Sequence, residues 1–362
     1  MTKREQQVLS AIRQNPLISQ KALGEQLGIS REAAANHIMN LTRKGFIRGK
    51  GYLLNELLDV MVIGGCTLDI QGIPKIPGLP GDSIPGQISM TPGGVGRNIA
   101  ENIARLGHNV RLLSAVGRDE AGQQVLTATA SAGVDTSSVE QLADKPTPIY
   151  LSILDNNHEL IQAINDMALI EQLSPELLTL HTAALQHCQT LVIDANLPEK
   201  TLEHLFTIPN LPAIFADCVS ASKAKRLNPW LHRIFCLKPN RMEAGLLWGK
   251  PVKSEVDLHE CAQWFHEQGV QQLVISLGKE GVFASYEQQQ LLMPSPDIQT
   301  TSVAGAGDAM MAGLLHSYLQ NFDFEQSITT AQTCAAMALE YHATINPELT
   351  AEAIRKRIQS SM

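Results

Sequence analysis

A glycine-rich segment near the C-terminus combines an anion-binding turn with a carboxylate. Residues 301–313 read TSVAGAGDAMMAG, in which Gly305, Ala306 and Gly307 precede an apolar helical stretch and Asp308 falls in its first turn. Glycines let backbone N–H groups converge on an anion at a helix N-terminus, where the helix dipole also favours negative charge. Asp308 could accept the proton of an attacking hydroxyl. These are the parts that phosphoryl transfer requires, and a closely packed helix N-terminus is the alternative interpretation.

A second glycine-rich segment lies about 210 residues earlier in the chain. Residues 89–100 read SMTPGGVGRNIA, so a strand-like run enters a glycine turn and then a helix. Gly93 and Gly94 would let the backbone approach a polyol, and Asn98 offers an amide to its hydroxyls. The GxGxxG spacing fails and the chain has no GxxxxGK[ST], which disfavours a dinucleotide-binding domain and a P-loop NTPase. A plain strand–helix turn is the alternative.

Composition and charge limit the class of protein. The chain has 362 residues, of which 44% are hydrophobic and 18% are charged, as in ordinary globular proteins. It has a polar N-terminus and no apolar run near the roughly 20 residues that span a bilayer, so we expect a cytoplasmic protein. Six scattered cysteines without a CxxC pair argue against a zinc site. Residues 1–55 hold nine Lys/Arg and three Glu although the whole chain carries −8, so a basic module precedes an acidic body.

Residues 1–56 predict a small helical module. Apolar residues at helical spacing indicate a helix over 2–14, and Ser19 and Ser30 can cap a second and a third helix. Residues 46–54 read as two short strands about a Gly-Lys-Gly turn, or a wing. Three helices and a wing resemble a winged helix-turn-helix domain.

DNA contacts would come from the third helix of this module, the recognition helix. Its candidate residues are Arg31, Asn36, His37 and Asn40. Arg and Asn side chains suit the edges of bases, and Lys suits phosphates. A helix that merely docks on the rest of the chain or on a second subunit is the alternative. We expect DNA as one partner of the chain.

Residues 57–362 predict an α/β domain. Strand-like and helical segments alternate, which argues for a parallel sheet with helices on both faces. The strand candidates are 59–63, 110–116, 148–154, 191–194, 213–216, 233–237, 272–277 and 281–286, and the clearest helices are 97–106, 119–132, 240–248 and 254–268. Residues 147–165 do not follow this alternation of strands and helices. Their pattern is typical of a β-hairpin, which makes them a candidate lid.

The paired glycine motifs resemble a known family. GG-x-G-x-N followed by GAGD is similar to the ribokinase-like (PfkB-type) carbohydrate and nucleoside kinases, and the resemblance covers about residues 58–345. It implies a three-layer α/β/α sheet domain with a small β-lid from about 66–90 and 147–165. It also implies ATP as co-substrate, Mg²⁺, and an active site at the C-terminal face. The segments most like the pseudouridine kinases of this family are 91–100, 163–167 and 305–313.

The resemblance assigns catalytic and substrate-binding roles. Asp308 matches the catalytic base, and the backbone of residues 305–307 matches the anion hole, which stabilises charge on the transferring phosphoryl group. Asp69 matches the carboxylate that binds sugar hydroxyls in the family. The alternative interpretation of Asp69 is an aspartate in a surface turn. Asn165 and Asn196 match polar residues on the substrate or phosphate side, and a turn-forming Asn is the alternative interpretation of each.

The resemblance also assigns a nucleotide and magnesium motif, KPNRME. Lys238 could neutralise phosphate charge, Asn240 would lie near the phosphates, and Glu243 would act on Mg²⁺. Asn240 and Glu243 also fit a helix capping box. The loop over the nucleotide would contain Ser276, Gly278 and Gly281. The family's cation-binding Asp and Thr are replaced here by Ser302 and Ala304, so we do not predict a potassium site.

The function expected from the sequence is a kinase for the 5′-hydroxyl of a ribonucleoside. Pseudouridine leads, followed by purine nucleosides of the inosine type and then by simple sugars. A function of another class is a transcription regulator that uses a kinase-like domain as a ligand sensor. We expect a homodimer.

Overall fold

The computed structural model of the protein describes residues 1–48, 58–76, 83–155 and 160–361. The chain divides into two compact units between residues 57 and 58. Residues 49–54, which hold the turn and the second strand of the predicted wing, lie outside the described residues. No helix in the described ranges is long and apolar enough to cross a membrane.

The N-terminal unit contains the three predicted helices, α1 (Lys3–Gln14), α2 (Gln20–Leu27) and α3 (Arg31–Arg43). Each begins at a side-chain cap, because Thr2, Ser19 and Ser30 each accept a hydrogen bond from a backbone N–H of the first turn. Gly28 ends α2 in the left-handed conformation, with φ 64°. One apolar face from each helix forms the core of this unit, which includes Val8, Ile12, Leu23, Ile38 and Leu41.

The second unit alternates strands and helices along most of its length. In chain order the strands are β1 (Val60–Ile63), β2 (Thr67–Pro74), β3 (Gly86–Gly93), β4 (Val110–Gly117), β5 (Asp135–Leu142), β6 (Ile149–Leu154), β7 (Leu160–Asp166), β8 (Thr190–Asp194), β9 (Ala213–Asp217), β10 (Cys236–Lys238), β11 (Gln272–Ser276), β12 (Val282–Tyr286) and β13 (Gln289–Met293). The helices are α4 (Val95–Arg105), α5 (Glu120–Ser131), α6 (Pro175–Leu180), α7 (Thr182–His187), α8 (Glu199–Thr207), α9 (Ala221–Ala224), α10 (Arg241–Trp248), α11 (Glu255–Glu267), α12 (Ala306–Gln320), α13 (Phe324–Leu339) and α14 (Ala351–Ser361).

The main sheet has the strand order β13-β12-β11-β10-β9-β8-β1-β4-β5. Along β1, Met61 and Ile63 join one apolar cluster while Val60 and Val62 join another, because successive side chains point to opposite faces of a strand. Both faces are therefore buried, as expected for a sheet between two helical layers. The strands from β11 to β5 are parallel, whereas β12 and β13 pair antiparallel at one edge, which corrects the expectation of a wholly parallel sheet.

A second sheet has the order β3-β2-β6-β7 and is built from the segments predicted as a lid. β6 and β7 pair antiparallel, which confirms the predicted hairpin pairing, and the hairpin turn at 156–159 lies outside the described residues. One row of paired residues crosses all four strands: Thr91, Asp69, Tyr150 and Asn165. Residues paired in one row share a face of the sheet, so Asp69 and Asn165 lie on the same face.

One strand boundary differs from the sequence prediction. The candidate strand 233–237 begins only at Cys236, because residues 225–233 form a 3₁₀ helix that contains Pro229. Only Arg233 of the predicted strand belongs to this helix, and Ile234 and Phe235 connect the helix to β10. β10 is thus a three-residue strand that ends at Lys238.

Candidate active site

The two glycine motifs meet at a hydrogen bond between Asn98 and Asp308. Asn98 Nδ2 donates to Asp308 Oδ2 at 2.9 Å, although the residues are 210 positions apart in sequence. Asn98 comes from the first turns of α4 and Asp308 from the first turn of α12. Both side chains are buried, at 4% and 9% exposure, so the contact lies inside the protein.

The early glycines are needed for close backbone contacts. Gly94 has φ 94°, and a Cβ there would lie 2.5 Å from the carbonyl oxygen of Gly65. A Cβ on Gly96 would lie 2.8 Å from the Cα of Gly64. The glycine turn at the start of α4 therefore packs directly on the turn that follows β1. A Cβ on Gly93 would overlap the carboxylate of Asp69, which fixes that carboxylate beside the same turn.

Asp69 lies on β2, beside the glycine turn. The Thr67 hydroxyl donates to Asp69 Oδ1 at 2.7 Å. Burial raises the pKa of Asp69, while the Thr67 hydrogen bond and the positive charge of Arg97 oppose that rise. Asp69 is only half-buried, so its carboxylate can accept hydrogen bonds from a ligand.

The start of α12 forms the predicted anion-binding turn. Gly305 is the N-cap, with φ 78° and no side-chain cap, and a Cβ there would overlap the carbonyl oxygen of Thr344. The first N–H groups of a helix have no intrahelical partner and attract anions. A Cβ on Gly307 would lie 3.2 Å from Lys238 Nζ, so an ammonium group stands beside this turn.

The environment of Asp308 holds its proton tightly. Burial raises the pKa of Asp308 to about 8, and the negative charges of Asp217 and Asp194 act in the same direction. The hydrogen bond from Asn98 and the charge of Lys238 oppose them. A carboxylate with a pKa this close to neutrality suits proton transfer at physiological pH.

Lys238 and Asp217 form a buried ion pair. Their closest atoms, Lys238 Nζ and Asp217 Oδ2, lie 2.9 Å apart, and the side chains are 6% and 8% exposed. Burial acts to lower the pKa of Lys238, but Asp217, Asp308 and Glu243 outweigh it and raise that pKa above its usual value. Lys238 therefore stays charged inside the site.

The predicted nucleotide segment is assembled from two neighbouring strands. Asn240 caps α10 in a capping box: its side chain accepts from the Glu243 N–H at 2.9 Å, and Glu243 Oε2 accepts from the Asn240 N–H at 2.8 Å. Asn240 also pairs with Ser276 in an isolated parallel bridge. Gly278 and Gly281 follow with φ values of 62° and 106°. Asn240 and Ser276 thus lie together at the carboxyl ends of β10 and β11, and Gly278 and Gly281 lie in the turn that follows β11.

Asn196 lies after β8 in a further set of polar contacts. Its backbone N–H donates to Asp194 Oδ1 at 2.9 Å, and its side-chain oxygen accepts from Lys223 Nζ at 2.6 Å. Asp194 also accepts from the backbone N–H groups of Gly65 and Gly96, at 2.7 and 2.9 Å. Asp194 therefore ties the turn after β1 to the start of α4.

Sequence reasoning missed Asp194, Asp217 and Lys223. Asp194 and Asp217 each end a parallel strand, a position where ligand-binding residues gather in α/β sheets, and that signal could have found them. Lys223 lies in the four-residue helix α9, which no sequence pattern marked.

The candidate DNA-contacting residues lie in the N-terminal unit. Arg31 and Asn36 are exposed on α3. Asn40 is half-buried and accepts a hydrogen bond from Arg43 Nη2 at 2.9 Å. His37 Nδ1 is buried and has no hydrogen-bond partner among the described residues.

Two family models match the chain. One, described as pfkB family carbohydrate kinase, matches residues 57–351. The other, described as winged helix-turn-helix DNA-binding, matches residues 1–48. The matches fall on either side of the division between the two compact units.

Individual relatives are similar over most of the chain. The protein named uncharacterized sugar kinase YeiI from Escherichia coli (strain K12) is 40% identical over 353 residues, covering 97% of this chain and 98% of its own. Pseudouridine kinase from the same strain is 40% identical over 294 residues, covering 80% and 93%. Among solved structures, Arabidopsis thaliana ribokinase complexed with ribose and ATP gives a TM-score of 0.73 at 18% identity, covering 83% of this chain and 98% of that chain. The last likeness supports the fold alone.

Proposed function

The chain belongs to the pfkB family of carbohydrate kinases and is therefore a sugar or nucleoside kinase, and we propose that it phosphorylates the 5′-hydroxyl of a ribonucleoside, pseudouridine first. The observation that carries the proposal is the Asn98–Asp308 hydrogen bond of 2.9 Å. It joins the glycine turn beside Asp69 to the anion-binding turn of α12. A polyol held at the first turn would present a hydroxyl to the carboxylate of the second.

Asp308 is the proposed general base. The acceptor hydroxyl gives its proton to Asp308 as its oxygen attacks the γ-phosphorus of ATP in line, and ADP leaves. The N–H groups at the start of α12 stabilise the negative charge on the transferring phosphoryl group. Lys238 lies beside the same turn and neutralises part of that charge, because Asp217 holds its ammonium group in place.

The donor set fits a magnesium-bound nucleotide. The buried carboxylates Asp217, Glu243 and Asp308 all act on the buried cation Lys238, so this region can accommodate further positive charge. Among the described residues there is no group of three or more metal-ligating side chains. Mg²⁺ commonly keeps several waters and uses one or two carboxylates together with substrate phosphates. Glu243 would hold it, and bound Mg²⁺ would neutralise phosphate charge.

Substrate binding is proposed for the polar face of the small sheet. Asp69 would accept hydrogen bonds from the ribose hydroxyls, and Asn165 lies in the same row two strands away. Asn196 and Lys223 would lie on the phosphate side. Closure of the small sheet over the site would exclude water, which otherwise hydrolyses ATP.

A panel of acceptors tests this proposal. Purified full-length protein would be assayed with ATP, Mg²⁺ and pseudouridine, uridine, inosine, ribose or fructose, and the phosphorylated carbon identified by NMR. We expect the highest kcat/KM with pseudouridine and a 5′-phosphate product. 5′-Deoxypseudouridine is the matched control and should give no product. Turnover of free ribose alone would contradict the nucleoside assignment.

The N-terminal unit supports a second, compatible function. Its family match and the exposed Arg31 and Asn36 on α3 favour binding to duplex DNA. The kinase unit would then also act as the ligand sensor of a transcription regulator. The two functions can coexist, because Asp308 and the turn of α12 are intact.

A further inference from the structure

Arg97 is a buried cation that precedes Asn98 on α4 and has no role in the mechanism above. It is 3% exposed. Its Nε donates to Thr129 Oγ1 at 3.1 Å, and its Nη2 pairs with Glu101. A guanidinium group held by several partners has little freedom to rotate.

Arg97 also contacts Asn98 itself. Arg97 Nη1 donates to Asn98 Oδ1 at 3.2 Å and to the Pro92 carbonyl oxygen at 3.4 Å. A guanidinium group has donors only, so the oxygen of the Asn98 amide must face Arg97. The NH₂ group of the amide then faces Asp308, to which it donates. The opposite amide orientation would set the Asn98 oxygen against the ionised Asp308 carboxylate and the NH₂ group against Arg97.

We propose that Arg97 is a positioning residue, which orients the Asn98 amide so that its NH₂ group donates to Asp308. The hydrogen bond favours the ionised form of the base, the form that accepts the proton of the substrate. The inference rests on the proposed function only in naming Asp308 as the base. The amide orientation itself is a property of the protein without substrate.

The effect of Arg97 on Asp308 can be separated from the effects of the other charged groups nearby. Asp308 also faces Asp217 on β9, Lys238 on β10 and Asp194 on β8. Arg97 acts on Asp69 through its charge, and Glu101 is shared with Arg105, whose Nη2 lies 2.6 Å from Glu101 Oε1. An Arg97→Lys variant keeps the charge and leaves Arg105 on Glu101. It replaces the planar guanidinium group, whose N–H donors have fixed directions, by a single ammonium group.

The test is the titration of Asp308 in Arg97→Lys. The carboxyl ¹³C resonance of Asp308, assigned by its loss in Asp308→Asn, reports this titration in the protein without substrate. In the catalysed reaction, the titration is reported by the acidic limb of the pH profile, the range in which kcat/KM rises with pH. We expect both to move to higher pH by about one unit, because the amide is no longer held in the donating orientation. Maximal kcat above the limb should stay close to wild type.

Arg105→Lys is the matched control, since Arg105 lies on the same helix and pairs with Glu101 but has no hydrogen bond to Asn98. It should leave the titration unchanged. In an Asn98→Ala background, Arg97→Lys should add no further shift, because Arg97 acts through Asn98. If Arg97→Lys does not fold, Thr129→Val removes one anchor of the guanidinium group and should shift the titration in the same direction by less.

The outcomes separate this inference from the proposed function. An unshifted Asp308 resonance in the folded variants would overturn the positioning role, whatever the substrate. An equal shift in Arg105→Lys, or an additive shift in the double variant, would also overturn it. A wild-type protein that phosphorylates no acceptor would count against the proposed function, while the NMR titration would still decide the role of Arg97.

Discussion

Asp308 lies among ionised groups that act on it in opposite directions. Asp217 favours its protonated form and Lys238 its ionised form, and these two residues are themselves paired at 2.9 Å. Removing either partner leaves the other charge uncompensated beside Asp308. Burial is the main cause of the raised pKa of Asp308, and the pair adjusts the pH at which the base becomes available.

Two substitutions at this pair should move the pH profile in opposite directions. The pKa of about 8 predicts that kcat/KM rises with pH as Asp308 ionises. Asp217→Asn removes a negative charge and should move this limb to lower pH, whereas Lys238→Met removes a positive charge and should move it to higher pH. The measurement is kcat/KM against pH.

A matched control for this pair is Asp135→Asn. Asp135 pairs with Arg111 at 2.6 Å on the β4–β5 edge of the sheet. Asp135→Asn should therefore leave unchanged the pH at which kcat/KM rises. Shifts of the same sign in Asp217→Asn and Lys238→Met would contradict the electrostatic interpretation.

At the scale of elements, the start of α12 depends on two glycines for different reasons. Gly305 needs its left-handed backbone, and a Cβ there would overlap a backbone carbonyl oxygen. Gly307 has no positive φ, and a Cβ there would meet only the flexible end of Lys238, at 3.2 Å. The free energy of unfolding should therefore depend on Gly305, and the position of the Lys238 ammonium group should depend on Gly307.

Alanine at each position separates these requirements. Gly305→Ala should lower the free energy of unfolding by more than about 1 kcal/mol, because alanine disfavours this φ. Gly307→Ala should unfold close to wild type but show a raised KM for ATP, since the added methyl group displaces the ammonium of Lys238. Denaturant unfolding and ATP kinetics measure the two effects. Equal loss of stability in both variants would contradict this assignment.

Most elements could be predicted from sequence, and the exceptions have physical causes. The helices α4, α5, α10 and α11 lie within two residues of their predicted ranges, because apolar spacing and caps mark both ends. The antiparallel edge was missed although the predicted strands 272–277 and 281–286 are joined by only residues 278–280, a connection too short for parallel neighbours. β13 itself was not predicted.

The site was predictable where glycines mark it. The paired motifs mark Asn98 and Asp308, whereas Asp217 is marked only by its place at the end of a parallel strand. Val219, two residues after Asp217, has φ 62° and donates its N–H to Asp217 Oδ1 at 2.8 Å. A β-branched residue in this conformation is unusual, and sequence rules do not predict a turn there. Such strain is often found at functional sites.

At the scale of the whole molecule, charge divides the chain into a basic and an acidic part. Residues 1–55 hold nine Lys/Arg and three Glu, while the full chain carries −8. A basic module with a helix-turn-helix match suits the phosphates of DNA, and the acidic remainder does not. The homodimer expected from the sequence stays a prediction.

DNA binding by the full-length protein should depend on α3. In an anisotropy assay with duplex DNA from upstream of its own reading frame, Arg31→Ala should weaken binding by about 1–3 kcal/mol. Arg13→Ala, which removes an equal exposed charge from α1, should have a smaller effect. Affinity should fall steeply with salt. Equal affinity of Arg31→Ala and wild type would contradict recognition through this helix, and kinase activity should be the same in both.

The most direct measurement of the central claim is the turnover of Asp308→Ala. With pseudouridine and ATP, we expect kcat to fall by about 10²–10⁴-fold or more, because the proton of the attacking hydroxyl has no acceptor. Circular dichroism should match wild type. Near-normal turnover in the folded variant would contradict the role of Asp308 as the base, and with it the active site drawn around the Asn98 contact.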